Sequence, residues 1–401
     1  MSGARERRLK IFLVGTEFFR GHGGIQYVNR MLVRAFQEMG RTTPIEMDAF
    51  SFTDGPEHLP VQGNDRPDVR WHGARHSRPG MVWQLTRRLG EARPDLVLFT
   101  HVSLLPLEDL VRAFAPGARV AALAHGAEVW HPLPKATARA LRRAPSFVCP
   151  SEFTARKLVE VQGVPAEHIT VIPHGLDADW AARCDAEPGA TPSRTGHSLL
   201  SVTRLSRADT SGKGVEQVLR ALPVLAEHFP EMRYRIAGGG EDLPRMAELA
   251  RQLGVEARVE FLGAVDDEAL RRAYADADIF VLPTKVEGFG IVFLEAMYNR
   301  LPVVAVRASA TTEVVEDEVT GLLVSPDDPA PLAAAVEELM LSGERRRALG
   351  EAGRRRVQRM YLFEHFAARW ERWLAAQVPV ALYTARQATA FALARAAAGT
   401  F

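Results

Sequence analysis

The chain has 401 residues, enough for two domains. Its composition, 47% hydrophobic and 25% charged, is that of a soluble globular protein, and a net charge of +1 carries no nucleic-acid-binding footprint. No run of about twenty uncharged apolar residues exists to span a membrane, Met1–Lys10 is basic but lacks the apolar length of a signal peptide, and Cys149 and Cys184 match no metal or redox spacing, so a reducing cytoplasm is the simplest compartment.

Ile11–Gly15 reads as a first strand, and a loop with Gly21, His22, Gly23 and Gly24 leads into a helical pattern that ends at Gly40. Strand, glycine-rich loop and helix make the opening unit of a doubly wound sheet. The glycines either admit an anion to the helix start or form a flexible turn, and their spacing is not the G-x-G-x-x-G of a dinucleotide site. Residues 51–79, rich in Pro, Gly, Asp and His, predict loops around one short strand. Met81–Glu91 predicts a helix with a solvated basic face and Trp83 packed inward; the alternative is a face resting on an anionic membrane. Strands follow at Asp95–His101 and from Ala121, the latter ending at His125-Gly126 with Glu128 close by, where parallel sheets bind ligands. Another runs over Ser146–Pro150, with Ser151 capping the next helix, and Ile169 opens a strand that turns at Pro173-His174-Gly175.

Asp185–Gly196 has linker composition, which places the first domain at residues 1–190, the second at 191–370 and a helical tail at 371–401. The first half is mildly basic and the second mildly acidic. Leu199–Val202 restarts the alternation. Arg204 and Lys213, at the two ends of a loop before a helix from Val215, form a clamp suited to a diphosphate. A strand from Tyr234 ends in Gly238-Gly239-Gly240, and Val259–Gly263 and a helix over Asp266–Asp276 follow. The apolar run Ile279–Leu282 predicts a buried parallel strand. It leads through the turn Glu287-Gly288-Phe289-Gly290 into a helix that carries Glu295 about one and a half turns in. The two carboxylates therefore do not share a helical face. One edges an anion site, and the other lies within reach of a polyol attached to the anion, a layout suited to a nucleoside diphosphate sugar. Two D-x-D strings, Asp177–Asp179 and Asp276–Asp278, lie in a turn and at a helix end and predict no catalytic metal. From Glu344 to Ala376 the pattern predicts two helices, and the alanine-rich tail from Val378 predicts a helix packed on the first domain or touching a membrane.

The string Glu287–Met297, with seven residues between its glutamates, resembles the paired-glutamate motif of the family 4 retaining glycosyltransferases. The resemblance extends from Lys10 to about Trp373. It implies the α/β GT-B fold, two Rossmann-like doubly wound domains facing each other across a cleft, with the last helix crossing back to the first domain. It implies that Gly23 and Gly24 border the donor diphosphate, that His125 sits beside the reacting carbon, and that Arg204 and Lys213 hold the two phosphates. Gly239 would lie near the nucleobase. Glu287, Gly288, the backbone of Phe289 and Gly290, and Ile291 would hold the transferred sugar, and Glu295 the ribose. The implied catalytic set is His125, Glu287, Arg204 and Lys213. The implied activity is that of a hexosyltransferase using a UDP- or GDP-sugar and no metal cofactor. Its acceptor hydroxyl would belong to a glycan, a lipid-linked glycan or a small molecule, in cell-surface polysaccharide biosynthesis. The implied location is cytoplasmic or peripheral on the cytoplasmic face of the membrane. A sugar-nucleotide epimerase or phosphorylase on the same fold stays open, although no cofactor-lysine motif for a phosphorylase is present. A non-enzymatic nucleotide-sugar-binding protein would keep the clamp but not His125 and Glu287. The chain departs from the family pattern at His174 (usually Asn), at Thr203 (usually Gly), at Tyr298-Asn299-Arg300, and at Ser309-Ala310, where relatives carry Gly-Gly. These departures leave the donor's identity open.

Overall fold

The computed structural model describes residues 8–21, 23–60, 69–186, 197–206, 213–326 and 328–378. His22, the loop residues Asp209, Ser211 and Gly212, most of the Asp185–Gly196 stretch and the tail beyond Val378 lie outside them. The chain divides into two compact units. One runs to His174 and takes in the chain from Phe363; the other is Gly175–Leu362.

In the first unit, strands β1 (Leu9–Gly15), β2 (Ile45–Ser51), β3 (Val69–Gly73), β4 (Leu96–Phe99), β5 (Arg119–Leu123), β6 (Phe147–Cys149) and β7 (Ile169–Val171) form one sheet. Its order is β3-β2-β1-β4-β5-β6-β7, parallel throughout. The order reverses between β1 and β4, which makes the carboxyl ends of these strands the place for a ligand. Strand β2 had no counterpart in the sequence reading. It carries charged Glu46 and Asp48 in its first half, and Asp48 is buried by a bidentate pair with Arg88, at 2.9 Å to each oxygen, and by His72 at 2.7 Å. Burial alone would raise the Asp48 pKa; the hydrogen bonds from His72 and Arg88 overcome it and hold the carboxyl below its usual range.

The second unit repeats the plan with β8 (Ser198–Val202), β9 (Arg233–Ala237), β10 (Val259–Gly263), β11 (Ile279–Leu282), β12 (Val303–Val306) and β13 (Gly321–Val324), in the order β10-β9-β8-β11-β12-β13. Both faces of this sheet are covered, which is why β11 reads as an unbroken apolar run. Ile279 and Val281 enter one core, with Leu199, Ile236 and Val304. Phe280 and Leu282 enter the other, with Leu200, Phe293 and Val303.

Three expectations need correction. The division falls at Gly175, before the linker-like stretch: the helix Ala178–Ala186 belongs to the second unit, where Arg354 pairs with Asp185 and the Leu176 N–H donates to the Tyr361 carbonyl at 2.6 Å. The return to the first unit begins at Phe363. The helix Phe363–Gln377 packs on the helix Gly24–Met39 through an edge-on contact of Trp370 with Phe36. Trp83 does not pack inward: the helix Arg78–Ala92 buries Met81, Leu85, Leu89 and Ala92 and leaves Trp83 62% exposed.

Candidate functional site

In the second unit the loops after β8, β9 and β11 meet at the switch point, and glycines let them meet. A Cβ on Gly238 would stand 1.8 Å from the Thr203 carbonyl oxygen, and one on Gly240 2.1 Å from that of Leu205. Both glycines have positive φ, at 140° and 152°. The Thr203 N–H donates to the Ala237 carbonyl and the Leu205 N–H to the Gly239 carbonyl, each at 2.9 Å. The exposed Arg204 side chain is thus carried on a strap tied at both flanks. Gly239, the member of the triplet singled out from the sequence, has no tight contact of this kind. Gly214, at φ 77°, closes the other end of the clamp, and a Cβ there would meet the Pro283 carbonyl oxygen at 2.4 Å.

Lys213 and Glu287 come together: Nζ lies 2.8 Å from Oε2 and also donates to the Val286 carbonyl at 3.2 Å. About a fifth of each side chain is exposed. The helix Ile291–Tyr298 opens at Gly290, which has φ 93°, no capping side chain and no acidic residue in its first turn, so the helix presents its positive end undiluted. The Phe289 ring is in the core against Tyr361, at 5.8 Å between centroids. Ile291 is half-buried at the helix start. Glu295 is 8% exposed and accepts from the Tyr274 hydroxyl at 2.8 Å. Burial pushes its pKa up to about 7, the Tyr274 hydrogen bond opposes this, and Asp267 adds to it. Tyr274 was not singled out from the sequence, since nothing in a helix pattern marks one aromatic as a hydrogen-bond donor to a carboxylate twenty-one positions away.

In the first unit, Gly23 caps the helix Gly24–Met39 in extended conformation and Gly24 has open space where a side chain would stand, so this helix also starts bare. The loop before it is held by a residue the sequence reading missed. Buried Asp54 accepts from the N–H groups of Phe18 (2.7 Å), Phe19 (3.3 Å) and Arg20 (2.7 Å) and from the Ser51 hydroxyl (2.7 Å). At the end of β5, His125 donates from Nε2 to the Thr100 carbonyl at 2.7 Å, which leaves Nδ1 for a ligand. Its backbone N–H donates to Glu128. The His101 and His174 rings lie 6.0 and 6.2 Å from it. Burial, with His125 beside it, drives the His174 pKa down to about 3, so that ring stays neutral. Burial also lowers His101, with Glu128 opposing and His125 adding to the shift.

Both D-x-D strings have structural duties. Asp177 Oδ1 accepts from the N–H groups of Asp179 (2.8 Å) and Trp180 (3.1 Å), and buried Asp278 accepts from the Ser198 N–H at 2.9 Å. Among the described residues no helix is long and apolar enough to cross a membrane.

The geometry can be set beside known proteins. The family model for glycosyltransferase family 4 matches residues 22–180, and that for glycosyl transferases group 1 matches 194–356. A GDP-mannose-dependent alpha-(1-6)-phosphatidylinositol monomannoside mannosyltransferase of Mycobacterium tuberculosis is 31% identical over 90% of this chain and 96% of its own. Its counterpart in Mycolicibacterium smegmatis is 33% identical over 69% and 75%. Among solved structures, sucrose-phosphate synthase from Thermosynechococcus elongatus superposes with a TM-score of 0.75 at 22% identity, covering 92% of this chain and 98% of its own. Anabaena HepE in complex with UDP-glucose superposes at 0.72 and 18%, covering 92% and 100%. The chain belongs to glycosyltransferase family 4, has the GT-B fold, and is a glycosyltransferase that uses a nucleotide sugar.

Proposed function

We propose that this enzyme transfers a hexose, mannose from GDP-mannose being the first candidate, to a hydroxyl of a lipid-linked polyol or glycan, with retention at the anomeric carbon and without a metal. The observation that carries the reading is the Lys213–Glu287 bridge of 2.8 Å between the loop after β8 and the bare-ended helix after β11. The donor is suggested by the mycobacterial relative that matches over nearly its whole length. In this reading Arg204, Lys213 and the positive end of the helix Ile291–Tyr298 take the diphosphate, and Lys213 is shared between Glu287 and the leaving group. Glu287 and the backbone N–H groups from Phe289 to Ile291 hold the sugar, Glu295 the ribose. Charge that builds on the leaving diphosphate meets fixed positive groups that need no reorganisation, and the diphosphate itself accepts the acceptor's proton on the same face. No protein base is required, and His125 offers Nδ1 as a hydrogen-bond acceptor beside the reacting carbon.

Exposed Trp83, with the Arg87 guanidinium 5.6 Å over its ring and Val82 alongside, favours peripheral contact with an anionic bilayer. The test is transfer of labelled mannose from GDP-mannose to phosphatidylinositol monomannoside in vesicles containing phosphatidylglycerol. Incorporation with an α-linkage, and weaker vesicle binding by Trp83→Ala, are expected. Incorporation from UDP-glucose in preference to GDP-mannose would contradict the donor assignment, and a β-linked product the retention.

A further inference from the structure

Among the described residues, Ser309 is one of six non-glycine residues with positive φ, at 49°. Arg93, another, has an ordinary reason: it terminates the helix Arg78–Ala92. Ser309 ends no helix. It lies in the loop after β12, pressed against the turn that carries Glu287. Its hydroxyl accepts from the Glu287 N–H at 3.2 Å, and the N–H of Ala310 donates to the Glu287 carbonyl at 3.2 Å. Both backbone polar groups of Glu287 are therefore held by this one loop. Glycine would adopt the same φ without strain but would have no hydroxyl to offer. This chain therefore keeps a strained serine, and with it a side-chain acceptor at the back of Glu287.

We propose that Ser309 is a positioning residue for the donor sugar: its hydroxyl fixes the Glu287 backbone, and through the Lys213 bridge it fixes the angle at which the Glu287 carboxylate meets the sugar hydroxyls. The inference rests on the reading of Glu287 as a sugar ligand. It separates two effects that a purely structural residue would move together. Removing the hydroxyl leaves the diphosphate and ribose contacts in place, so nucleotide affinity holds. The carboxylate loses its bearing on the sugar, so turnover falls.

The experiment compares Ser309→Gly and Ser309→Ala with the wild type by thermal denaturation, by calorimetric titration with GDP, and by kcat and KM for GDP-mannose. Ser309→Gly is expected to melt at or above the wild-type temperature, to bind GDP within twofold, and to lose about tenfold in kcat, the order expected when one orienting hydrogen bond is lost. Ser309→Ala keeps the strained Cβ and should show the same loss of kcat without any gain in melting temperature. Wild-type kcat in both variants, with an active parent enzyme, would overturn this inference alone. So would a loss of GDP affinity that matches the loss of turnover. A wild-type enzyme that binds no GDP and transfers nothing would overturn the functional reading beneath it as well.

Discussion

The two units have the same strand order around their switch points, yet they hold the loops there by different means. In the second unit, backbone is packed on backbone. Gly238 and Gly240 let the triplet turn lie against the carbonyls of Thr203 and Leu205, and Gly214 does the same against Pro283. In the first unit a side chain does the holding: the Asp54 carboxylate gathers three consecutive N–H groups of the loop after β1. Backbone packing tolerates no side chain and so writes glycines into the sequence. A single aspartate reaching across thirty-odd residues writes nothing that distinguishes it from any other turn aspartate.

The largest effect should come from filling a backbone contact. Gly238→Ala places a Cβ at 1.8 Å from a carbonyl oxygen at a positive φ, and it should destabilise the second unit by at least about 3 kcal/mol in denaturant unfolding and abolish GDP binding. Wild-type GDP affinity in this variant would remove the claim that the triplet holds the Arg204 strap. Next comes Glu295. Its folded pKa of about 7 lies above the unfolded value of about 4.3. Its contribution to stability is therefore full below the unfolded value and is lost as pH rises through about 7. Glu295→Gln, which never ionises, should melt higher than wild type at pH about 8 but not at pH about 5, while binding GDP more weakly. In the wild type, GDP affinity should improve as the carboxyl ionises. Tyr274→Phe removes the hydrogen bond that lowers this pKa and should move that dependence to higher pH. A pH-independent affinity would detach Glu295 from the nucleotide.

Asp54→Asn tests the other side of the comparison. It should lower transfer about tenfold while leaving GDP affinity unchanged, because the loop it holds belongs to the first unit, whereas the proposed ligands Arg204, Lys213 and Glu295 belong to the second. Equal losses in both would mean that the substitution disturbs more than the loop. The smallest effect at neutral pH is that of Asp48. Its depressed pKa contributes stability above the unfolded value of about 3.9 that disappears as pH falls through the lower folded value. Acid unfolding monitored in wild type and Arg88→Met should show a shallower acid limb in the variant; identical limbs would place the acid sensitivity elsewhere.

Legibility in the sequence followed the same division. In the second unit β10 and β11 are legible end to end, and for β11 the reason is burial on both faces, which gives a continuous apolar run. The family pattern assigns Lys213 and Glu287 to different parts of the donor and names no contact between them; the structure brings Nζ to 2.8 Å from Oε2. The resemblance drew attention to Gly239 where the tight contacts belong to Gly238 and Gly240, since a run of three glycines does not say which one faces a neighbour. Strand β2 is hard to read because Glu46 and Asp48 interrupt the apolar run of a buried strand, and Asp48 is buried only through partners on β3 and the helix Arg78–Ala92. Trp83 was expected inside because tryptophan is usually buried; the helix turns its Met81–Leu85–Leu89 stripe inward instead. The domain boundary was set by linker composition, whereas the fold divides at Gly175, in the Pro173-His174-Gly175 turn.

The most direct test is a calorimetric titration of GDP into the wild type and into Lys213→Ala, both in EDTA. A diphosphate held by fixed cations should bind to the wild type without added metal, and the lysine variant should bind at least about a hundredfold more weakly, as befits loss of a charge-assisted contact. Wild-type binding that requires manganese, or a lysine variant that titrates like its parent, would contradict it.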